Sequence, residues 1–349
     1  MHRAIPTIGR WFLAALSLPL FLSGCGFSSQ TFTQEPEPEE PVKYSCNTPE
    51  DAVSAADLVL TVKDVSLEIR DGEIFEAWTY NGQVPGPVLR MNLGETKRIK
   101  LVNYSPRPAS LHFHGAAYPL IDDGITLYPE GVVNPGCAHV YTVTASSPGV
   151  WPFHSHLDTS NELVRGLYGA LIVPDPAEPP ADHEFVLFMG QLGTEGEEEG
   201  EEHEHIKNHE SSHEEENSSG KHNFSMVFNG RPDGKGPVIR LAGDQYEFIH
   251  GEMPRTRIGD LVRWRVLNVS PDAWHTIGFH QHVFCDRGGV VDSLGACPRE
   301  GQLINILDVS PLKGMSFEFI EAVAGTWMYH CHILDHAIEG MMAFYQVDP

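Results

Sequence analysis

One short pattern occurs twice in this chain, and it constrains the fold more than any other feature. Gly149-Val150-Trp151-Pro152-Phe153-His154 returns as Gly325-Thr326-Trp327-Met328-Tyr329-His330. Each copy closes a segment of alternating apolar and polar residues. Residues 57–173 carry Leu58-Val59-Leu60-Thr61-Val62 and His139-Val140-Tyr141-Thr142-Val143, and residues 224–347 carry Leu261 to Leu267, Met315 to Ile320 and Ala343 to Val347. Strict alternation is the signature of strands with one buried face. Pro85-Gly86-Pro87 and Pro148-Gly149 mark turns between them. With 33 Gly, 26 Pro and 20% charged residues, the composition favours many short strands over long helices. The expected class is all-β, with two β-sandwiches of related topology. The 349 residues are long enough for two such domains, each with its own core.

The ends and the charge set the setting. Arg3 and Arg10 precede an apolar run from Trp11 to Leu22 that is too short for a typical membrane span. Residues 1–24 therefore read as an export signal. Leu22-Ser23-Gly24-Cys25 resembles the bacterial lipobox, which makes Cys25 a lipidated first residue and the mature protein an envelope lipoprotein; an ordinary signal with an incidental cysteine is the plainer alternative. Residues 25–50, with their Glu/Pro-rich run at 34–41, read as a tether. The net charge of −25 offers no basic stripe for nucleic acid. Cys285 and Cys297 bracket a short Gly-rich loop and are expected to pair outside the cytoplasm. Cys46 with Cys137 follows by elimination.

The expected domains are 51–176 and 223–349, joined by a linker, 177–222. Its segment 195–222 holds eleven Glu against Lys207 and Lys221, so 2 − 11 = −9 of the charge sits there, with five histidines among them. No apolar period runs through it, so a solvated insert is expected, serving either as a metal-collecting arm or as a tolerated loop.

Ten of the 19 histidines fall in four clusters: His112 and His114; His154 and His156; His275, His280 and His282; and His330, His332 and His336. On a strand, residues i and i+2 share a face, so each His-x-His presents two imidazoles side by side. Four such clusters at strand ends point to a multinuclear site. Cys331 lies between His330 and His332 and points to the opposite face, so one strand feeds two sites. Cys331, His336 and Met341 supply thiolate, imidazole and thioether, and His275, on the parity opposite to His280, completes a trigonal His₂Cys set with a weak axial Met. That is the donor set of blue copper, whereas zinc has no use for a thioether.

With these motifs the chain resembles the multicopper oxidases, most closely the two-domain bacterial small laccases. The resemblance rests on Leu111 to Gly115 with Asp123-Gly124, on Trp151 to His156 with Gly166 to Gly169, and on Trp327 to His332 with His336, Gly340 and Met341. It implies two cupredoxin-like Greek-key domains. It implies a type 1 copper on His275, Cys331, His336 and Met341. His114, His154, His156, His280, His330 and His332 match the ligands of a type 3 pair, and His112 matches one ligand of a type 2 copper. Asp123 matches the acidic residue that delivers protons near oxygen. Ser155 stands where a second thiolate would be needed, which leaves one type 1 site, in the second domain. The implied function is a copper-dependent oxidase passing electrons from a small-molecule or metal-ion donor to O₂, assembled as a homotrimer.

One position departs from the pattern. The family's His-x-x-His-x-His reads here with Gly278 in the second place. On the ungapped register the type 2 copper is a ligand short, about three coppers bind firmly per chain by ligand count, and Gly278→His is expected to raise copper content. A shifted register uses His280 and His282 as the pair and needs two extra residues after His275. The rival functions are a copper nitrite reductase and a tethered copper-buffering protein.

Overall fold

The computed structural model describes Cys46 and residues 56–194, 223–286, 288, 289, 297 and 301–349. The expected signal, Cys25, the rest of the tether and the acidic insert lie outside the described residues. Among the described residues, no helix is long and apolar enough to cross a membrane.

The first half holds β1 (Leu58–Arg70), β2 (Glu73–Tyr80), β3 (Val88–Arg90), β4 (Thr96–Asn103), β5 (His112–Phe113), β6 (Ala116–Ala117), β7 (Ala138–Ala145), β8 (Gly149–His154), α1 (Thr159–Val164) and β9 (Tyr168–Val173). They form two sheets, ordered β2-β1-β4-β7-β6 and β3-β9-β8-β5. The alternating apolar positions Leu60, Val62, Ile99, Leu101, Tyr141 and Val143 from one sheet meet Leu89, Phe153, Leu171 and Val173 from the other in one core.

The second half repeats this plan. Its strands are β10 (His183–Thr194), β11 (Asn223–Phe228), β12 (Val238–Ala242), β13 (Gln245–Ile249), β14 (Arg255–Arg257), β15 (Leu261–Asn268), β16 (His275–Phe279), β17 (Phe284–Cys285), β18 (Leu303–Ile304), β19 (Ile306–Val309), β20 (Gly314–Ile320), β21 (Gly325–Cys331) and β22 (Met342–Asp348), with α2 (Leu334–Glu339) before the last. The sheets run β13-β12-β10-β15-β20, with β11 on β10, and β14-β22-β21-β16-β19. The parallel pair β1–β4 returns as β10–β15, and the parallel pair β3–β9 returns as β14–β22. The duplicated sequence pattern is thus a duplicated sandwich.

Strand β10 lies inside the stretch expected to be linker. It pairs with β11, β12 and β15, so the second sandwich begins with it. Its run Phe185-Val186-Leu187-Phe188-Met189 is buried on both faces, which hides the alternation that marks a half-exposed strand. The acidic insert joins the paired ends of β10 and β11, the place that the Asp71–Gly72 turn holds between β1 and β2.

The two sandwiches share an apolar seam. Val150, Leu163, Tyr168 and Ile172 pack against Val186, Phe188, Ile239, Leu267 and Val269. Gly314 lets β20 reach β8, because a Cβ there would sit 1.9 Å from the Val150 carbonyl oxygen. Both expected disulfides form, Cys46–Cys137 and Cys285–Cys297.

Candidate metal centres

Strand β21 divides its donors as its period of two requires. Cys331 is wholly buried on the side of β16 that carries His275, also wholly buried. The chain then turns through α2 and brings His336 to the same point. Nδ1 of His275 lies 3.1 Å from Nδ1 of His336, and Cys331 Sγ lies 3.7 Å from the latter. These three donor atoms all fall within 4.8 Å of one another. Buried Met341 is tied to the same group, since its carbonyl accepts from Cys331 N–H at 3.0 Å and its N–H donates to the His336 carbonyl at 2.9 Å. Ser270 Oγ sits 2.8 Å from His275 Nε2, which occupies that nitrogen and leaves Nδ1 aimed at the cysteine. Burial first, then the neighbouring His336, pushes His275 down to about pKa 3. Burial also lowers His336, against the pull of Glu339 and Asp335. Both imidazoles are therefore neutral at neutral pH, the form that binds metal.

The remaining histidines form two like sets. In the first sandwich His112 stands opposite His154 in the β5–β8 ladder. His154 donates Nδ1–H to the Ser155 carbonyl at 2.7 Å, so its Nε2 carries a lone pair, 3.2 Å from His114 Nε2. Donor atoms of His112, His114 and His154 fall within 4.8 Å of one another, and the His156 ring lies 4.8 Å from that of His112. In the second sandwich His330 repeats the part of His154: Nδ1 bonds the Cys331 carbonyl at 2.7 Å and Nε2 lies 3.1 Å from His280 Nε2. The His332 ring stacks 4.2 Å from that of His330. Burial holds His154 down to about pKa 3 and His114 to about 4, with neighbouring histidines adding to the effect.

Two models of one family, described as multicopper oxidase, match residues 61–178 and 241–349. Together they cover most of the chain. It belongs to the multicopper oxidase family. Among curated proteins, a probable nitrite reductase-hydroxylamine oxidoreductase fusion protein of Kuenenia stuttgartiensis is 30% identical over 84% of this chain and 32% of its own length. The human ferroxidase HEPHL1 is 26% identical over 78% of this chain and 24% of its own length. Copper resistance protein A of Escherichia coli is 33% identical over 37% of this chain and 21% of its own length. The chain thus spans a third or less of these relatives. A solved multicopper oxidase is 25% identical with a TM-score of 0.64, covering 83% of this chain and 89% of that one. The copper nitrite reductase of Nitrosomonas europaea has a TM-score of 0.61 at 23% identity, with 83% and 93% covered, and shares the fold.

Copper fits the donors of this multicopper oxidase. Two neutral imidazoles, a buried thiol and a buried thioether at His275, His336, Cys331 and Met341 match a copper preference and leave zinc without a fourth strong ligand. In the first sandwich no such site can form. There Ser155 replaces the thiol and donates to Glu162 at 2.6 Å, while Ser110 N–H donates to Ser155 Oγ at 3.1 Å. Burial raises the Glu162 pKa, against the hydrogen bonds from Ser155, Leu157 and Asp158.

The ladders also place the residues of the third motif. Gly278 stands opposite His330, as His112 stands opposite His154. Position 278 thus holds the place in its ladder that His112 holds in the other, as the ungapped register has it. The shifted register needs His282 on the face of His280, but β16 ends at Phe279. The chain turns there, with Gln281 at φ 68°, and carries His282 away into the core. His282 Nε2 lies 2.8 Å from Glu321 Oε2, with Tyr345 beside it. Shared parity at 278, 280 and 282 holds only while the strand continues. A Cβ at 278 would sit 2.2 Å from His332 Nε2, so a histidine there needs the His332 ring to shift. The His332 ring occupies the room that a side chain at 278 would need.

Asp123 lies beside His112: its Oδ1 is 3.2 Å, and its carbonyl oxygen 2.9 Å, from His112 Nδ1. Tyr118 bonds the same carboxylate, and burial first, then that bond, raises its hydroxyl pKa. Neither Tyr118 nor Ser270 was marked in the sequence. Each acts through a loop contact that obeys no period.

Proposed function

We propose that this protein is a laccase-like oxidase, taking single electrons from a reduced donor and delivering them to O₂. The observation that carries this reading is the division of β21: Cys331 converges with His275 and His336 on one face, while His330 and His332 stand on the other. One strand thus joins an electron-entry set to a histidine set, and His330 Nδ1–H on the Cys331 carbonyl adds a second link between them. Copper in these sets supplies one-electron chemistry at the first and oxygen chemistry at the second. His275, Cys331, His336 and Met341 hold the type 1 copper. His114, His154, His156, His280, His330 and His332 hold a type 3 pair. His112 is the remaining imidazole for a type 2 copper that lacks a partner at Gly278. Asp123, against His112, is the residue that delivers protons to the oxygen site.

The second set is divided between domains. Among the described residues, no donor of the first sandwich joins His280 and His330 in a group within 4.8 Å. A ring in which the first domain of one copy meets the second domain of the next completes the site, and we propose a homotrimer. Export and lipid anchoring at Cys25 complete the proposal and place it in the bacterial envelope.

Gly278 and the likeness to the Kuenenia protein favour a second reading, copper nitrite reduction. Ser155 speaks against it, since those enzymes keep the blue copper in the first domain. A copper-buffering lipoprotein is the third. Copper analysis per chain, with oxygen and nitrite consumption measured on the same sample, separates them. About three coppers and oxygen uptake without nitrite loss are expected by ligand count. Nitrite consumption without oxygen uptake, or copper binding with neither, would replace the oxidase reading.

A further inference from the structure

The hairpin β1–β2 of the first sandwich does not stay with its own domain. Ile69, Phe75 and Ala77 pack with Leu192 and Val227, which belong to β10 and β11 of the second. The end of the hairpin then reaches the turn that carries His336 and Met341. Arg70 donates from its guanidinium to the Glu339 carbonyl oxygen at 2.8 Å, across 269 residues of sequence. Glu339 is the last residue of α2, where carbonyls lack helical partners and a cation is favourably placed. Gly340 follows, pressed against the loop before β12: a Cβ there would lie 1.3 Å from the Pro232 carbonyl oxygen. That loop is held by the same hairpin, because Arg231 donates to the Glu68 carbonyl oxygen at 3.1 Å. The end of β1 therefore holds both neighbours of Gly340: Arg70 bonds the Glu339 carbonyl, and the Glu68 carbonyl bonds the Arg231 side chain of the loop that Gly340 packs against, with buried Ile69 between them.

We propose that Arg70 is a positioning residue for the type 1 copper, holding from the first domain the turn that presents His336 and Met341. This rests on the assignment of those two residues, with His275 and Cys331, as the ligands. A hydrogen bond from a charged donor to a helix-end carbonyl limits how far α2 can swing, and so how far His336 can leave Cys331. The side chain of Glu339 has no part in it, since the bond is to the main chain.

Two measurements on Arg70→Ala test this. In the copper-free protein, amide hydrogen exchange over residues 334–341 should quicken about five-fold, with the two cores unchanged. In the copper-loaded protein the visible band and the reduction potential should shift, and copper should be lost to a chelator about five-fold faster. Arg70→Lys should recover part of both effects, and Glu339→Gln, which keeps the main-chain carbonyl, should leave the amide exchange over residues 334–341 unchanged. If wild type is blue and Arg70→Ala matches it in exchange, band and copper retention, the proposal is wrong. Uniform loss of protection throughout both domains would also overturn it, by showing a general stabilising role. A colourless wild type would strike the ligand assignment, and the exchange measurement would still read the Arg70 contact.

Discussion

On the proposed assignment, Cys331 is the residue on which the chemistry turns. A thiolate between two imidazoles gives copper(II) its intense blue colour. Cys331→Ser should abolish that colour and the oxidase activity. The fold should lose about 1 kcal/mol or less, because a hydroxyl can still accept from Thr276 N–H, which now lies 3.4 Å from Sγ. Visible absorption and thermal unfolding on the same preparation check both halves, and a blue Cys331→Ser protein would end the assignment. Gly278 is the second such residue. Because His332 fills the space over it, Gly278→His exchanges one imidazole for another, and copper content should stay at about three per chain or fall. A rise to four by metal analysis would show that His332 makes room. His282→Ala is its control: the variant should keep its copper but lose about 2 kcal/mol of stability by leaving the Glu321 carboxylate, 1% exposed, short of a partner.

At the scale of elements, β15 shows how one strand serves two contacts. Val262, Trp264 and Val266 enter the core of the second sandwich. Arg263 and Arg265, on the opposite face, are buried as well, paired with Glu178, Glu184 and Glu318. Glu184 is the centre of this network and also accepts from Tyr246. Burial alone would raise its pKa, but Arg265, Tyr246 and Arg263 together hold it below the ordinary 4.5. Its folded value is below its unfolded one, so the unfolded chain takes up the proton first as pH falls. The stability it contributes is present above about pH 4.5 and is lost as pH falls through the lower folded value. Glu184→Gln should cost about 2 kcal/mol at neutral pH by taking one carboxylate partner from each of two buried guanidiniums. It should also flatten the loss of stability between wild-type neutral and acid conditions. Denaturant unfolding at several pH values measures both, and a variant with an unchanged acid profile would show that other carboxylates dominate.

For the whole molecule, the proposed trimer makes assembly part of the chemistry. If each oxygen site takes His114 from one copy and His280 from the next, two inactive variants should rescue each other. His114→Ala spoils only the first domain's half and His280→Ala only the second's. Chains co-assembled from equal amounts should regain intact sites at about one interface in four, and with them about a quarter of wild-type oxygen uptake. Mass measurement of the wild type should give three chains. A monomer with full copper content, or variants that do not complement, would place the site within one chain.

The duplicated Gly-x-Trp-x-aromatic-His run was enough to establish two related sandwiches, because a period of two is a local property and survives in any environment that buries one face. The same parity separated Cys331 from His330 and His332, and the copper chemistry followed from donor types alone. The two disulfides were legible from spacing and elimination. Tertiary structure decided what lies between elements. It assigned β10 to the second sandwich, because a strand buried on both faces shows no alternation. It buried Arg263 and Arg265, which alternation alone would place in water, because the connection at Glu178 and Pro179 bonds them on that face. It turned His282 away from the metal side, because parity ends where the strand does. It gave the room over Gly278 to His332, and it brought Arg70 to Glu339 across 269 residues. Contacts of this kind join parts of the chain with no common period, and only the packing of the folded chain brings them together.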